Sequence, residues 1–503
     1  MSDKKVIVIG AGLAGLSGAI YLRKRGFQVE VFEQNEQLGG KAGEIRANGF
    51  RFDTGPSLVT MPFVLEDLFR EVGADRSALL PWLEIDPICR YFWPDGSQLD
   101  AVGDVERMQN LIEAFAPGEG AAFRRFLAYC KRIYDATADI FLTAPIHETT
   151  VWLRLQTLKK IFSLPRIDPF HTVDQSVRRF FRDPRLVQLF DRYATYNGSN
   201  PFQAPATLNI IAYVEFVLGA VYPHGGIYRL VSRLQQIAQE LGVIIHAGQR
   251  VEKILYDDRH RVTGVQVGGD GHAADAVLCN ADVVQTYANL IEGFPRERRK
   301  LGRLEPSLSG IVFLWSVKKS HATLAHHNIF FSADYQREFH QLFVEKTLPS
   351  DPTIYIAITS KTDPADAPPG EENWFVLINA PYLDNTRPAD SGAAAALRKA
   401  VFARLAQAGI DIAPYISHEQ VIGPDDFYRL YGSNRGSIYG ISSNSRQTAF
   451  RRPANRNKRL SGLYFAGGSA HPGGGIPLVV LSAKMAADLI ARHTGGQQQQ
   501  PAG

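Results

Sequence analysis

Val6-Ile7-Val8-Ile9 is an unbroken apolar run that ends at a glycine, the pattern of a short strand buried on both faces. A helix follows the turn, and Val29-Glu30-Val31-Phe32 reads as the next strand. From about residue 101 to 215 the pattern becomes helical and aromatic, with Phe115, Phe123, Phe126, Tyr129, Tyr134 and Phe141. After a turn at Tyr222-Pro223-His224-Gly225-Gly226, Leu230, Leu234 and Ile237 mark a helix. Residues 243–245, 251–254, 262–267 and 276–279 then read as short strands. A second insert, about 295 to 450, alternates strands such as 310–317 and 353–358 with helices, and residues 455–492 return to the first unit. This alternation predicts an α/β fold. Residues 1–100, 222–294 and 455–492 are assigned to a discontinuous, Rossmann-like nucleotide-binding domain. Residues 101–221 and 295–454 are assigned to a discontinuous α+β domain facing substrate and membrane, and 493–503 to a disordered tail with a Gln run.

The first turn carries Gly10-Ala11-Gly12-Leu13-Ala14-Gly15. In this pattern Gly10 makes the tight turn, Gly12 lets backbone approach a pyrophosphate, and Gly15 lets the helix pack on the strand. The helix N-terminus offers free N–H groups to the phosphates. Glu33, closing the second strand, is spaced to accept ribose hydroxyls, and its charge disfavours a 2′-phosphate, so NADP is not expected. At the other end, Leu463-Tyr464-Phe465-Ala466-Gly467-Gly468 runs through Gly473-Gly474-Gly475-Ile476 into a helix. Glycine turns supplied from both ends predict one long cofactor across the fold, and FAD fits better than a nicotinamide. Val251 is expected near the adenine, with Gly467 and Gly468 beside the flavin. Gly474 and Ile476 should place a helix N-terminus near the flavin's pyrimidine oxygen.

At 503 residues and 45% hydrophobic, the chain can bury a large core in two connected domains. Cys89, Cys130 and Cys279 form no metal or C-x-x-C pattern and suggest a reducing compartment. Residues 1–5 lead straight into the first strand, so no signal peptide is expected, and no apolar stretch is long enough to span a bilayer. The expectation is a cytoplasmic protein peripherally associated with the inner face of the cell membrane. A net charge of +4 is too small to imply nucleic acid. Its distribution is uneven: Arg154, Lys159, Lys160, Arg166, Arg178, Arg179, Arg182, Arg185 and Arg192 lie among Trp152, Leu155, Leu158, Ile161, Phe162 and Leu164. Such a segment suits an interfacial helix on anionic lipid or an ordinary surface helix over a core. A second basic cluster, Arg296, Arg298, Arg299, Lys300 and Arg303, reads as a solvated helix face. No Ser-His-Asp set, metal cluster or close carboxylate pair stands out.

Leu38-Gly39-Gly40-Lys41-Ala42 and Phe52-Asp53-Thr54-Gly55-Pro56 resemble the flavoprotein superfamily of amine oxidases, carotenoid desaturases and GDP-dissociation inhibitors. The resemblance implies that Gly40, Lys41, Gly55 and Pro56 line the cofactor, with Lys41 replacing the usual Arg and losing its bidentate fork. Arg192-Tyr193-Ala194-Thr195-Tyr196-Asn197-Gly198 and the segment Ala470-His471-Pro472-Gly473-Gly474-Gly475-Ile476-Pro477-Leu478 are similar to bacterial carotenoid desaturases. They are most similar to the hydroxycarotenoid 3,4-desaturase branch. What this implies is an FAD-dependent enzyme moving hydride from an allylic C–C bond of an acyclic carotenoid to flavin N5 in a dry apolar channel, with oxygen or a quinone as electron acceptor. The implied catalytic residues are Glu215 as proton acceptor, His471 beside the isoalloxazine and Arg154 near the substrate. The acidic neighbour expected three positions before Arg154 is Val151, a departure that favours a membrane-facing cation as the role of Arg154. Two other readings stay open: a phytoene desaturase or other flavin oxidoreductase such as an amine oxidase, and a non-enzymatic prenyl-binding escort protein. No flavin-linking Cys lies in Ala466-Gly467-Gly468-Ser469, and the intact glycines with Glu33 argue against the escort.

Overall fold

Alternation along the first strand, β1 (Lys5–Ile9), sends Val6 and Val8 into one apolar layer and Ile7 and Ile9 into another, so both faces of its sheet are covered. In the computed structural model, which describes residues 4–73, 81–152, 167–384, 392–445, 448 and 452–495, β1 is central in a five-stranded sheet. The strand order is Ile244–His246, β2 (Gln28–Phe32), β1, Ala276–Cys279 and Leu463–Phe465, all parallel. Three widely separated stretches of chain thus build one sheet, and Ile9, Phe32, Cys279 and Phe465 end side by side at its carboxyl edge. That edge is where ligands bind in open parallel sheets.

One face packs on the helices α1 (Leu13–Lys24), Ile227–Glu240 and Ile476–Thr494 through Leu16, Ile20, Val231, Leu234, Val480 and Ala487. The other face packs on the antiparallel strands Val251–Tyr256, Val262–Val267 and Asp270–Ala273.

A second, seven-stranded sheet runs in the order Ile416–Ile422, Ser309–Val317, Glu372–Ala380, Ile354–Ala357, His327–Phe330, Cys89–Phe92, Gln98–Ala101. Its strands are antiparallel except for His327–Phe330 beside Cys89–Phe92. Ile311, Phe313 and Trp315 face the helix Ala393–Gln407, whereas Val312 and Leu314 face inward toward Phe50, Phe52 and Phe427. The strands Cys89–Phe92 and Gln98–Ala101, read from the sequence with the nucleotide-binding part, are therefore hydrogen-bonded into this larger sheet. Helices Val105–Phe115, Gly120–Thr137, Pro184–Asp191 and Ile210–Leu218 enclose an aromatic cluster in which Phe181 stacks on Phe190 at 4.5 Å. His493 and Thr494, expected in the tail, complete the last helix, which Gly495 caps in the left-handed region; residues 496–503 lie outside the described residues. No helix among the described residues is long and apolar enough to cross a membrane.

Candidate active site

Asn280, one residue beyond the fourth parallel strand, joins the two glycine signatures. Its side-chain oxygen accepts the Gly15 N–H at 3.2 Å, and its amide nitrogen donates to the Ala466 carbonyl at 3.0 Å. The termini consequently form one wall. Gly10, at φ +90°, turns the chain into α1, whose N-cap Gly12 supplies no capping side chain; Asn280 takes the Gly15 N–H, and those of Leu13 and Ala14 face the cavity open. A Cβ on Gly12 would sit 2.8 Å from the Asn280 oxygen, and one on Gly15 would sit 1.9 Å from the Gly10 carbonyl. Gly12 is therefore a close-approach residue on a ligand wall, whereas Gly15 serves helix-on-strand packing and does not line the cavity.

That cavity measures about 1220 Å³, above the ~300–1,000 Å³ of ordinary small-molecule pockets. Of the cofactor residues expected from the sequence, Gly10, Gly12, Glu33, Gly40, Lys41, Gly55, Pro56, Val251, Gly467, Gly468, Gly474 and Ile476 all line it. Glu33 is buried. Its Oε2 accepts the Ala11 N–H at 2.8 Å, and its Oε1 accepts from the backbone and side chain of Asn35 at 3.0 and 3.1 Å. A carboxylate oxygen has about two acceptor sites, so Oε2 keeps one for a hydroxyl. Lys41 Nζ donates to the carbonyls of Ser437 (3.3 Å) and Ile438 (2.5 Å), and burial, partly offset by Asp282, pulls it down to about 8. Its ammonium is thus held by backbone oxygens at the cavity edge. Glycine backbone, an open helix N-terminus and a buried carboxylate with a free acceptor site together fit a flavin dinucleotide.

The candidate catalytic residues separate. Glu215 lines the cavity and is 1% exposed. It accepts from the Tyr193 hydroxyl at 2.6 Å and from the Tyr196 hydroxyl, with Arg192 Nη2 at 3.6 Å. Arg192 is braced by the Tyr91 hydroxyl at 2.6 Å and by the faces of Tyr91, Tyr193 and Tyr196. Sequence reasoning missed this buried polar cluster, whose signal was the Arg192-Tyr193-Ala194-Thr195-Tyr196 run quoted only for its resemblance.

His471, expected beside the flavin, lies behind the cavity wall formed by Phe141 and Pro472. The ring is fully buried outside the cavity wall, its Nε2 bonded to the Ala144 carbonyl at 3.0 Å and its edge against Phe141. Burial, helped by nearby His147, holds it down at about 3, so it stays neutral and serves packing. The His471 carbonyl accepts from Ser482 (2.7 Å) and Asn455 (2.8 Å), which fixes the glycine segment that follows. Arg154 lies outside the described residues, as do Lys159, Lys160, Arg166 and the apolar positions between them, whereas Arg178, Arg179, Arg182, Arg185 and Arg192 are described. Asn280 and Arg452, both on the cavity wall, were not singled out, because neither belongs to a glycine motif. Among the described residues no His, Cys, Asp and Glu group could hold a metal ion.

Residues 13–491 match the family described as flavin containing amine oxidoreductase. A 1-hydroxycarotenoid 3,4-desaturase from Flavobacterium sp. (strain P99-3) is 40% identical over 497 residues, covering 97% of this chain and 99% of that protein. A 4,4'-diapolycopene oxygenase from Methylomonas sp. is 37% identical over 490 residues, covering 97% and 98%. Cyclohexylamine oxidase from Brevibacterium oxydans IH-35A shares the fold at a TM-score of 0.63 with 16% identity, covering 98% of this chain and 100% of that one. With its glycine cradle and these relatives, the chain belongs to the flavin containing amine oxidoreductases and is an FAD-dependent oxidoreductase of the carotenoid desaturase type.

Proposed function

We propose that this enzyme introduces a 3,4 double bond into a hydroxylated acyclic carotenoid while resting on the cytoplasmic face of a membrane. The observation that carries the reading is the cavity itself. It passes without a partition from the glycine cradle to apolar walls formed by Leu58, Met61, Ile210, Val214, Phe375 and Leu377. FAD supplies a hydride acceptor at N5. The chain's own residues position the polyene and exclude water, and a charge left on the substrate is spread along its conjugated system. The proton leaving the adjacent carbon is assigned to Glu215, whose oxygens each keep an acceptor site beyond the tyrosine bonds. Phe63 and Val217, exposed and close in sequence to cavity-lining Met61 and Val214, offer apolar contacts to lipid beside the cavity.

Liposomes carrying either a 1-hydroxylated or a plain acyclic carotenoid test the proposal with the FAD-loaded protein. The expected result is a red-shifted spectrum and loss of two hydrogens only from the hydroxylated compound. Conversion of phytoene alone would overturn it. A second reading, oxygenation of an acyclic carotenoid, is favoured by the oxygenase relative, and gain of oxygen by mass would select it. Failure of the protein to sediment with the liposomes would overturn the membrane assignment.

A further inference from the structure

Arg452 is 4% exposed and lines the cavity, yet no carboxylate among the described residues pairs with it. Its Nη1 donates to the Gly468 carbonyl at 2.9 Å and lies 3.5 Å from the Tyr439 carbonyl. A Cβ on Gly473 would meet its guanidinium at 3.2 Å, so the cation lies against the C-terminal glycine wall. An unpaired buried cation is strongly unfavourable unless the site receives an anion. Burial alone lowers Arg452, to about 10, which is what a guanidinium without a counter-charge shows.

A pyrophosphate would find its own donors at the open end of α1, with Glu33 and Val251 on the side left for the adenine. Gly468 and Gly473 belong to the other half of the cradle, which leads to the apolar walls, and that half would receive the isoalloxazine. Hydride addition to oxidised flavin delivers two electrons and one proton and leaves one negative charge spread over N1 and the neighbouring carbonyl. We propose that Arg452 is the counter-ion for this charge: a positioning cation that keeps reduced flavin ionised at N1 and makes the cofactor a stronger hydride acceptor. The assignment holds whichever carotenoid is oxidised.

Proton uptake during reduction is the readout, measured as the slope of the two-electron potential against pH for the FAD-loaded protein. Wild type should take up one proton per two electrons from about pH 6 to about pH 8, because N1 stays ionised. Arg452→Met should take up two protons toward the acid end of that range and show a more negative potential. Arg452→Lys should restore the single proton near pH 7 and lose that advantage as the buried ammonium titrates. Two protons in wild type would overturn the proposal, and this arm stands even if Arg452→Met does not fold. An Arg452→Met protein that keeps the one-proton slope would overturn it too. So would one that sheds FAD while its remaining flavin behaves as wild type, since the cation would then serve a phosphate.

Discussion

Gly12 concentrates the cofactor site into a single hydrogen atom. Any side chain there meets the Asn280 oxygen at 2.8 Å and stands before the open N–H groups of α1. Gly12→Val is expected to purify colourless, and a variant that still carries stoichiometric FAD by absorbance would refute the pyrophosphate assignment. Buried imidazoles contribute to the acid sensitivity of the fold. Burial holds His471 at about 3 and His327 at about 4, whereas an unfolded chain titrates them near ~6.5. Because the folded values are depressed, the native state stays neutral while the unfolded state takes up protons below ~6.5. Their contribution is therefore intact above that pH and is lost as pH falls toward the folded values, by up to about 1.4 kcal/mol per pH unit for each imidazole. Thermal midpoints should drop from about pH 6 to about pH 4.5; a flat profile across that window contradicts the assignment.

The C-terminal helix Ile476–Thr494 fixes the glycine wall from behind through Ser482. Its hydroxyl donates to the His471 carbonyl at 2.7 Å and accepts from the Gly467 N–H and the Asn455 amide, each at 3.1 Å. Ser482→Ala strands these buried groups, so a loss of about 1–3 kcal/mol in stability is expected, with weaker FAD retention, read by denaturant titration and flavin release. The strands and helices around the glycine turns were legible because the apolar runs and turns are local. The pairing of Cys89–Phe92 was not legible because its partners, His327–Phe330 on one side and Gln98–Ala101 on the other, include one far along the chain. Hydrophobic alternation says that such a strand exists and not which edge accepts it.

Across the whole molecule, a buried network ties together residues from three distant parts of the chain. Arg51 binds Asp366 through Nε at 2.6 Å and Asp53 through Nη1 at 2.7 Å, while Tyr222 donates to Asp53 at 2.7 Å. All four residues are nearly inaccessible. Arg51→Met leaves two carboxylates uncompensated inside the protein, and a destabilisation of about 3–5 kcal/mol is expected by denaturant unfolding. An Arg51→Met, Asp366→Leu double variant should recover part of that loss if the penalty is unpaired charge rather than packing.

The order of residues was enough to specify the glycine turns, the carboxylate at Glu33 and the choice of flavin over nicotinamide, because each depends on a few neighbours whose backbone freedom or charge is intrinsic. Three-dimensional packing alone showed that Asn280 bridges both ends of the chain, that His471 is neutral behind the wall, and that Glu215 and Arg452 face the cavity. Exposure, ion pairing and proton affinity are set by neighbours distant in sequence, so no local pattern encodes them.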